Sequence, residues 1–458
     1  MAVERVSTGL GGVDTRMRSS RSSAGGLHRD HSRGVGQGFG ALSRRAGRPP
    51  DGRFRVVEVR GIGDPQQGGR VLGQAWQERA MVAILPNTEP VRSPLPGSAP
   101  TIGVEEEFIL VHPHTGTPFL GNTEVAKVGR TLGADLQLEL SRCQIETATR
   151  PCAHLTDLVR EVRRARAAAA DAAAKAGARL LAVAVPPAGP PPHSITDDPR
   201  YRLMAHRFGA LAEQVICGAR VHVCVPNRDE AAAVSNHLRP WLPVLLALTA
   251  NSPISAGRDT GYASWRHILW SRWPSAGPPP YFRSAQHYDS VVARMLENES
   301  ILDTAMIYWD IRLSAHLPTI EVRIADVPAT AAEALLLAAL IRGLVGTALT
   351  DIRRGAAGPM LDQQVLRSAY WRAANDGMTG YGIDASSGRL VPAGGLLERL
   401  LTRIRPALEE HGDYTAARAA VTQVLATGNG AARQRRALRA GSLTAVLDLL
   451  THTTTEGC

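Results

Sequence analysis

Glu105 and Glu107 stand two residues apart in T-I-G-V-E-E-E-F-I-L-V, residues 101 to 111, a spacing that lets two carboxylates act on one object. Side chains of a strand alternate between faces, so both glutamates project to one side, about 6.6 Å apart along the chain at roughly 3.3 Å per residue. Ile102, Val104, Phe108 and Leu110 fall on the other side. A Glu-x-Glu pair with no basic residue beside it in sequence repels itself unless a cation is present. Metal ligation is therefore favoured here over a plain solvated sheet face.

The pattern recurs further along the chain. In L-Q-L-E-L-S-R-C-Q-I-E-T-A-T (136 to 149), leucines alternate with Gln137, Glu139 and Ser141, and Glu146 follows Glu139 by an odd separation. An odd separation reverses the face, so the two acids share one site only if the chain bends or bulges between them. In T-I-E-V-R-I-A-D-V-P (319 to 328), Glu321 and Arg323 lie opposite Ile320, Val322 and Ile324, and W-D-I-R-L-S just upstream aligns Asp310 with Arg312. In G-A-R-V-H-V-C-V (218 to 225), three valines share one face, while Arg220, His222 and Cys224 share the other. An antiparallel sheet with one buried face gives such alternation by itself. A polar face furnished with carboxylates, arginines and a histidine is the part that points to chemistry.

The elements around these strands read as helices and loops. Thr156 is expected to cap a helix running through the alanine-rich segment to Ala176, with Gly177 as its stop and R-L-L-A-V-A-V as a following strand. Residues 231 to 250 and 331 to 353 read as two core helices. The Pro/Gly/aromatic loop from 252 to 283 contains R-D-T-G-Y-A-S-W-R, where Arg258, Tyr262, Ser264 and Arg266 are candidates for substrate contact.

The chain's 458 residues and 44% apolar content suit a globular protein with a sizeable core. Its net charge of +10 is uneven: residues 1–99 carry +7 and the remainder only +3. The segment 1–98, rich in Arg, Gly, Ser and Pro, has the composition of a disordered extension, with Phe54 to Arg60 as a possible short strand and Met81 as a candidate alternative start. A catalytic domain is expected over 99–455. Five cysteines form no C-x-x-C pair, which favours reduced thiols; zinc held by Cys217, Cys224 and His222 lacks an evident fourth ligand. Lys127 and Lys175 are the only lysines, so there is no P-loop, and no dinucleotide-binding glycine motif is present. The apolar run 331–349 is broken by Glu333 and Arg342, and the N-terminus lacks a secretory apolar stretch, so a cytoplasmic protein without a membrane span is expected.

Taken in order, G-V-E-E-E-F, Q-I-E-T-A-T, G-x-x-V-H-V, A-N-S-P-I, D-T-G-Y-A-S-W-R, I-E-V-R-I-A-D, Y-W-R-A-A and G-x-G-A-x-R-Q-R resemble the type 2 glutamate–cysteine ligases, the bacterial carboxylate–amine ligases. The resemblance runs from about Thr101 to Arg436. It implies an α+β fold, a glutamine-synthetase-like catalytic domain whose antiparallel sheet forms a funnel with helices on its outer face. It implies ATP and Mg2+ as cofactors and two steps: ATP phosphorylates the γ-carboxylate of glutamate, and the amine of cysteine attacks the acyl phosphate. By the same resemblance Glu105, Glu107, Glu139, Glu146, His222 and Glu321 are the metal-ligand candidates. Arg323 is assigned to the transferred phosphoryl group and Arg266 to substrate carboxylate or phosphate, with Arg220, Arg258, Tyr262, Ser264 and Arg312 as substrate-binding candidates.

Three residues, at two places in the chain, depart from that pattern. Relatives show G-x-H-V-H-V-G, whereas here Arg220 stands in place of the first histidine and Cys224 in place of the glycine; Asn375 stands where relatives place an arginine. Arg220 is expected to bind an anion. The alternatives are a ligase for another amine, a non-catalytic relative that binds nucleotide, and a nucleic-acid binder acting through the extension, for which no aromatic-basic module is seen. The expected partners are small molecules, with neither nucleic acid nor membrane; a homodimer is left open.

Overall fold

A computed structural model describes residues 100–458, so the expectations for the segment 1–98, its short strand and Met81 lie outside the described residues. Its centre is one antiparallel sheet. The strands are β1 (Ile102–Val111), β2 (Gln137–Leu138), β3 (Gln144–Ala148), β4 (Arg179–Leu181), β5 (Gly218–Cys224), β6 (Ile311–Leu313) and β7 (Thr319–Asp326), in the spatial order β2-β3-β1-β5-β7-β6 with β4 paired to the far end of β1. This is the α+β arrangement that the resemblance implies, and the alternating strands supply its sheet.

One face of the sheet is apolar and lies under helices. Ile102, Val104 and Phe108 of β1, Val221 and Val223 of β5, and Ile320, Val322 and Ile324 of β7 are all buried. Helices α1 (Leu155–Lys175) and α3 (Ala331–Arg353) pack on this side. Burial of each such large side chain is worth about 1.5–3 kcal/mol, which fixes the register, because a one-residue slip would turn the valines to the open face.

Helix α1 begins at Leu155 with His154 as its N-cap, so Thr156 lies inside the first turn rather than capping it. Gly177, at φ +80°, ends the segment as expected of a left-handed position. The single helix expected over 231–250 is two, Arg228–Leu238 and Leu242–Thr249, joined by a tight turn at Arg239–Trp241. Pro240 and Pro243 explain the break, since proline has no N–H to donate and clashes with the preceding turn. Among the described residues, only α3 is long and apolar enough to cross a membrane. It is mostly buried in the core, and its fully buried Arg342 bonds Asp413 and the Ala153 carbonyl (2.7 Å).

Candidate functional site

The register of the sheet assembles its polar face in rows. Glu105 lies opposite Arg220, Glu107 opposite Glu146, Glu146 opposite Gln137, and His222 opposite Glu321, which in turn lies opposite Arg312. Directly paired residues of an antiparallel ladder share a face. All these side chains therefore meet over one side of the sheet.

Two irregularities bring in residues that parity alone separates. Between β2 and β3 the chain reverses through Glu139–Cys143, so Glu139, two residues beyond Gln137, returns to the side of Glu146. Between β5 and β7 the pairing slips from Ala219↔Ala325 to Val221↔Val322, which places an extra residue in β7. This bulge lets Glu321 and Asp326, an odd five residues apart, face the same way. Asp326 there accepts hydrogen bonds from the Asn251 N–H (2.8 Å), the Ser252 hydroxyl (2.7 Å) and the Ser264 hydroxyl (2.8 Å).

The carboxylates form two groups whose candidate ligand atoms lie within 4.8 Å of one another, Glu105–His222–Glu321 and Glu107–Glu139–Glu146. Arg220 stands between them. Its guanidinium bonds Glu107 and Glu146, lies 3.1 Å from Glu105 and comes to 3.6 Å from Glu139. The expected self-repulsion of Glu105 and Glu107 is thus answered inside the protein by an arginine 115 positions away in sequence from the first of them. The anion-binding role expected of Arg220 is not the one its contacts favour, since its donors are spent on carboxylates.

The remaining contacts divide the charge further. Glu321 takes Arg312 Nε at 2.6 Å on one oxygen and the Arg323 guanidinium on the other. Burial would raise the Glu321 carboxyl, but Arg312, Arg323 and His222 outweigh it and hold it well below the usual range. Glu105 behaves alike: burial is overcome by His222 and Arg220, leaving it at about 2. Glu107 and Glu146 go the other way, because burial dominates the attraction of Arg220 and neighbouring glutamates crowd them. His222 turns Nδ1 to the Thr319 hydroxyl (3.1 Å), and its Nε2, 3.2 Å from Glu105, has no well-directed hydrogen bond among the described residues. An oxygen-rich set with one unpartnered imidazole nitrogen fits a hard divalent cation such as Mg2+ or Mn2+.

Arg266 and Arg323 border this face and are buried, each with an Nε that lacks a hydrogen-bond partner among the described residues. Arg266 crosses Gly218 so closely that a Cβ there would collide with its Nη2, which explains the glycine. It leads helix α2 (Trp265–Trp270), whose N-cap is Ser264 accepting from the His267 N–H (3.2 Å). Ser264 is therefore a capping and anchoring residue, fully buried on Asp326, rather than a substrate contact. Arg258 is exposed on a short hairpin, and half-buried Tyr262 stacks on Trp265 at 5.6 Å; neither is joined to the carboxylate groups by any contact in the structure. Asn375 holds the same loop, its carbonyl accepting the Ala263 N–H at 3.1 Å. Cys217 and Cys224 are buried free thiols, and neither joins a metal-ligand group among the described residues.

Sequence reading missed a buried polar cluster behind Arg266. Asp310 lies among Arg266, Arg323 and Tyr370, and neither carboxylate oxygen has a well-directed partner among the described residues. Burial pushes Asp310 up to about 7 against the pull of those groups, and burial with the Arg266 charge pushes His267 down to about 3. The signs oppose. Asp310 keeps a proton in the fold that it loses when unfolded, so its contribution is present below its ordinary value of 3.8 and fades as pH rises toward 7. His267 stays neutral in the fold, so its contribution is present above 6.5 and fades as pH falls toward 3. Between pH 4 and 6.5 the two slopes cancel. Asp310→Asn is expected to make stability rise with pH in that window by about 1.4 kcal/mol per unit relative to wild type, and His267→Gln to make it fall by as much. Urea unfolding at three pH values reads both; parallel profiles for all three proteins would contradict the burial assigned to these groups.

Residues 101–448 match the model of glutamate-cysteine ligase family 2. A protein of Nocardia farcinica that carries the provisional name glutamate–cysteine ligase 2-1 is 53% identical over 362 residues, covering 79% of this chain and 94% of its own. One of Mycobacterium sp. strain KMS, provisionally named glutamate–cysteine ligase 2-2, is 52% identical over 358 residues, covering 78% and 98%. Among solved structures, glutamate–cysteine ligase from Francisella tularensis in complex with AMP matches with a TM-score of 0.61 at 13% identity, over 78% of this chain and 89% of that one. A bifunctional glutathione synthetase from Pasteurella multocida matches with 0.57 at 14% identity, over 78% and 52%. At such identities these two likenesses speak for the fold alone.

Proposed function

The chain belongs to glutamate-cysteine ligase family 2 and is a ligase, and from that premise we propose that it joins the γ-carboxylate of L-glutamate to the amine of L-cysteine at the expense of ATP. The products are γ-glutamylcysteine, ADP and phosphate. The observation that carries this reading is the polar sheet face itself, where five glutamates, three arginines and a histidine converge over an otherwise valine- and isoleucine-rich sheet.

A carboxylate is a poor nucleophile and electrophile, and it must approach the anionic γ-phosphate of ATP before an acyl phosphate forms. The demand on the protein is to offset crowded negative oxygens and hold the reactants in line. Glu105, His222 and Glu321 would hold a divalent cation, with Glu107, Glu139 and Glu146 as the second donor group. When bound, that cation supplies neutralisation of phosphate and carboxylate oxygens. Arg323, with its partnerless Nε beside Glu321, holds the transferred phosphoryl group. Arg266 holds the substrate carboxylate or phosphate through its planar fork, braced by the strand backbone it crosses. Arg312 anchors Glu321. The domain that does this is assigned to residues 99–455.

The occupied donors of Arg220 favour one further reading, a relative that binds nucleotide and substrate without turnover. ADP release with ATP, Mg2+ and glutamate across a panel of amines separates the two. Release that depends on glutamate and is stimulated by an amine, cysteine foremost, is the expected result; stimulation by another amine alone would reassign the acceptor, and none by any amine would leave a binding protein.

A further inference from the structure

We propose that the Arg220 guanidinium is a fixed counter-cation filling the Glu107–Glu139–Glu146 donor group, so that the face takes one divalent ion fewer than its carboxylates alone would hold. This rests on the reading of the face as a metal-dependent ligase site.

Two observations lead there. The guanidinium touches Glu107 and Glu146 and lies 3.6 Å from Glu139, so every member of that group is turned toward it. In the other group it touches only Glu105, at 3.1 Å, and His222 Nε2 there lies 3.2 Å from Glu105 without a well-directed hydrogen bond among the described residues.

Arg220 is also poorly able to step aside. Guanidinium does not deprotonate in proteins and cannot ligate a metal, so it neither becomes a ligand nor loses its charge. Its backbone lies on β5, paired on one side with β1 opposite Glu105 and flanked on the other by β7. A second cation entering the same three oxygens would meet a charge of its own sign at hydrogen-bond distance.

Manganese binding to the full-length chain, counted by electron paramagnetic resonance of free Mn2+ without nucleotide, tests this and needs no turnover. Arg220→Met is expected to bind one more Mn2+ per chain than wild type, and Arg220→Met with Glu146→Gln to lose that extra ion again. Glu146→Gln alone is expected to leave the wild-type count unchanged. A folded Arg220→Met protein with the wild-type count would overturn the proposal, as would a wild-type ion lost on Glu146→Gln, an arm that decides even if Arg220→Met does not fold. Ligase activity failing while these counts hold would remove the functional reading and leave the counter-cation standing.

Discussion

Arg166→Leu is expected to cost about 3–5 kcal/mol of unfolding free energy, the range for removing one partner of a buried ion pair. Arg166 is fully buried on α1, and its guanidinium donates two bonds to Glu106, at 2.6 and 2.9 Å, from the helix side of β1. It also donates to the carbonyls of Pro328 (2.8 Å), Ala329 (3.4 Å) and Thr454 (3.2 Å), so the leucine would strand one charge and three acceptors. Changing Glu106 to leucine as well should recover part of the loss, since the charge is then gone while the carbonyls remain unmet. Glu106 sits between Glu105 and Glu107 in sequence but on the opposite face, so this pair pins the strand that presents the two site glutamates. Urea unfolding of the three proteins gives the values; a loss below about 1 kcal/mol for Arg166→Leu would show that the pair does not anchor the strand.

Arg323→Met is expected to lower kcat by about 10³-fold or more, on the scale of arginines that stabilise phosphoryl transfer, with KM for glutamate little changed. Methionine keeps the bulk of the side chain, and Arg312 still holds one oxygen of Glu321, so the fold should survive the change. Burial and the nearby Arg312 charge lower the Arg323 pKa, which marks a cation held where positive charge is costly. Such a placement is worth keeping where an anion completes it. A fall in kcat of tenfold or less, with the fold intact, would move Arg323 from the phosphoryl group to a role in bracing Glu321.

The faces of β1, β5 and β7 were legible because a strand's period of two depends on local geometry alone. That put Glu105 with Glu107, Arg220 with His222 and Glu321 with Arg323 before any pairing was known. What joins these pairs into one site depends on register, and the hairpin after β2 and the bulge in β7 leave no mark in residue types. The same limit hid the cation among the carboxylates: Arg220 meets Glu105 across 115 positions. Arg166 lies in the R-R-A-R-A run of the alanine-rich helix, where residue types do not separate it from Arg163 and Arg164, and only the packing of α1 on the sheet turns it inward. Ser264 illustrates the opposite error. A serine before a short helix signals an N-cap as readily as a substrate contact, and the buried Asp326 beneath it decides for the cap.

The central claim is that the polar sheet face activates the γ-carboxylate of glutamate by phosphorylation, and transfer of isotope tests it most directly. Glutamate labelled with 18O in its γ-carboxylate is incubated with the full-length protein, ATP, Mg2+ and cysteine, and the released phosphate is analysed by mass. One 18O per phosphate formed is the expected result, because the bridging oxygen of the acyl phosphate leaves with phosphorus when the amine attacks carbon. Phosphate released without label, at a rate that glutamate does not alter, would contradict it.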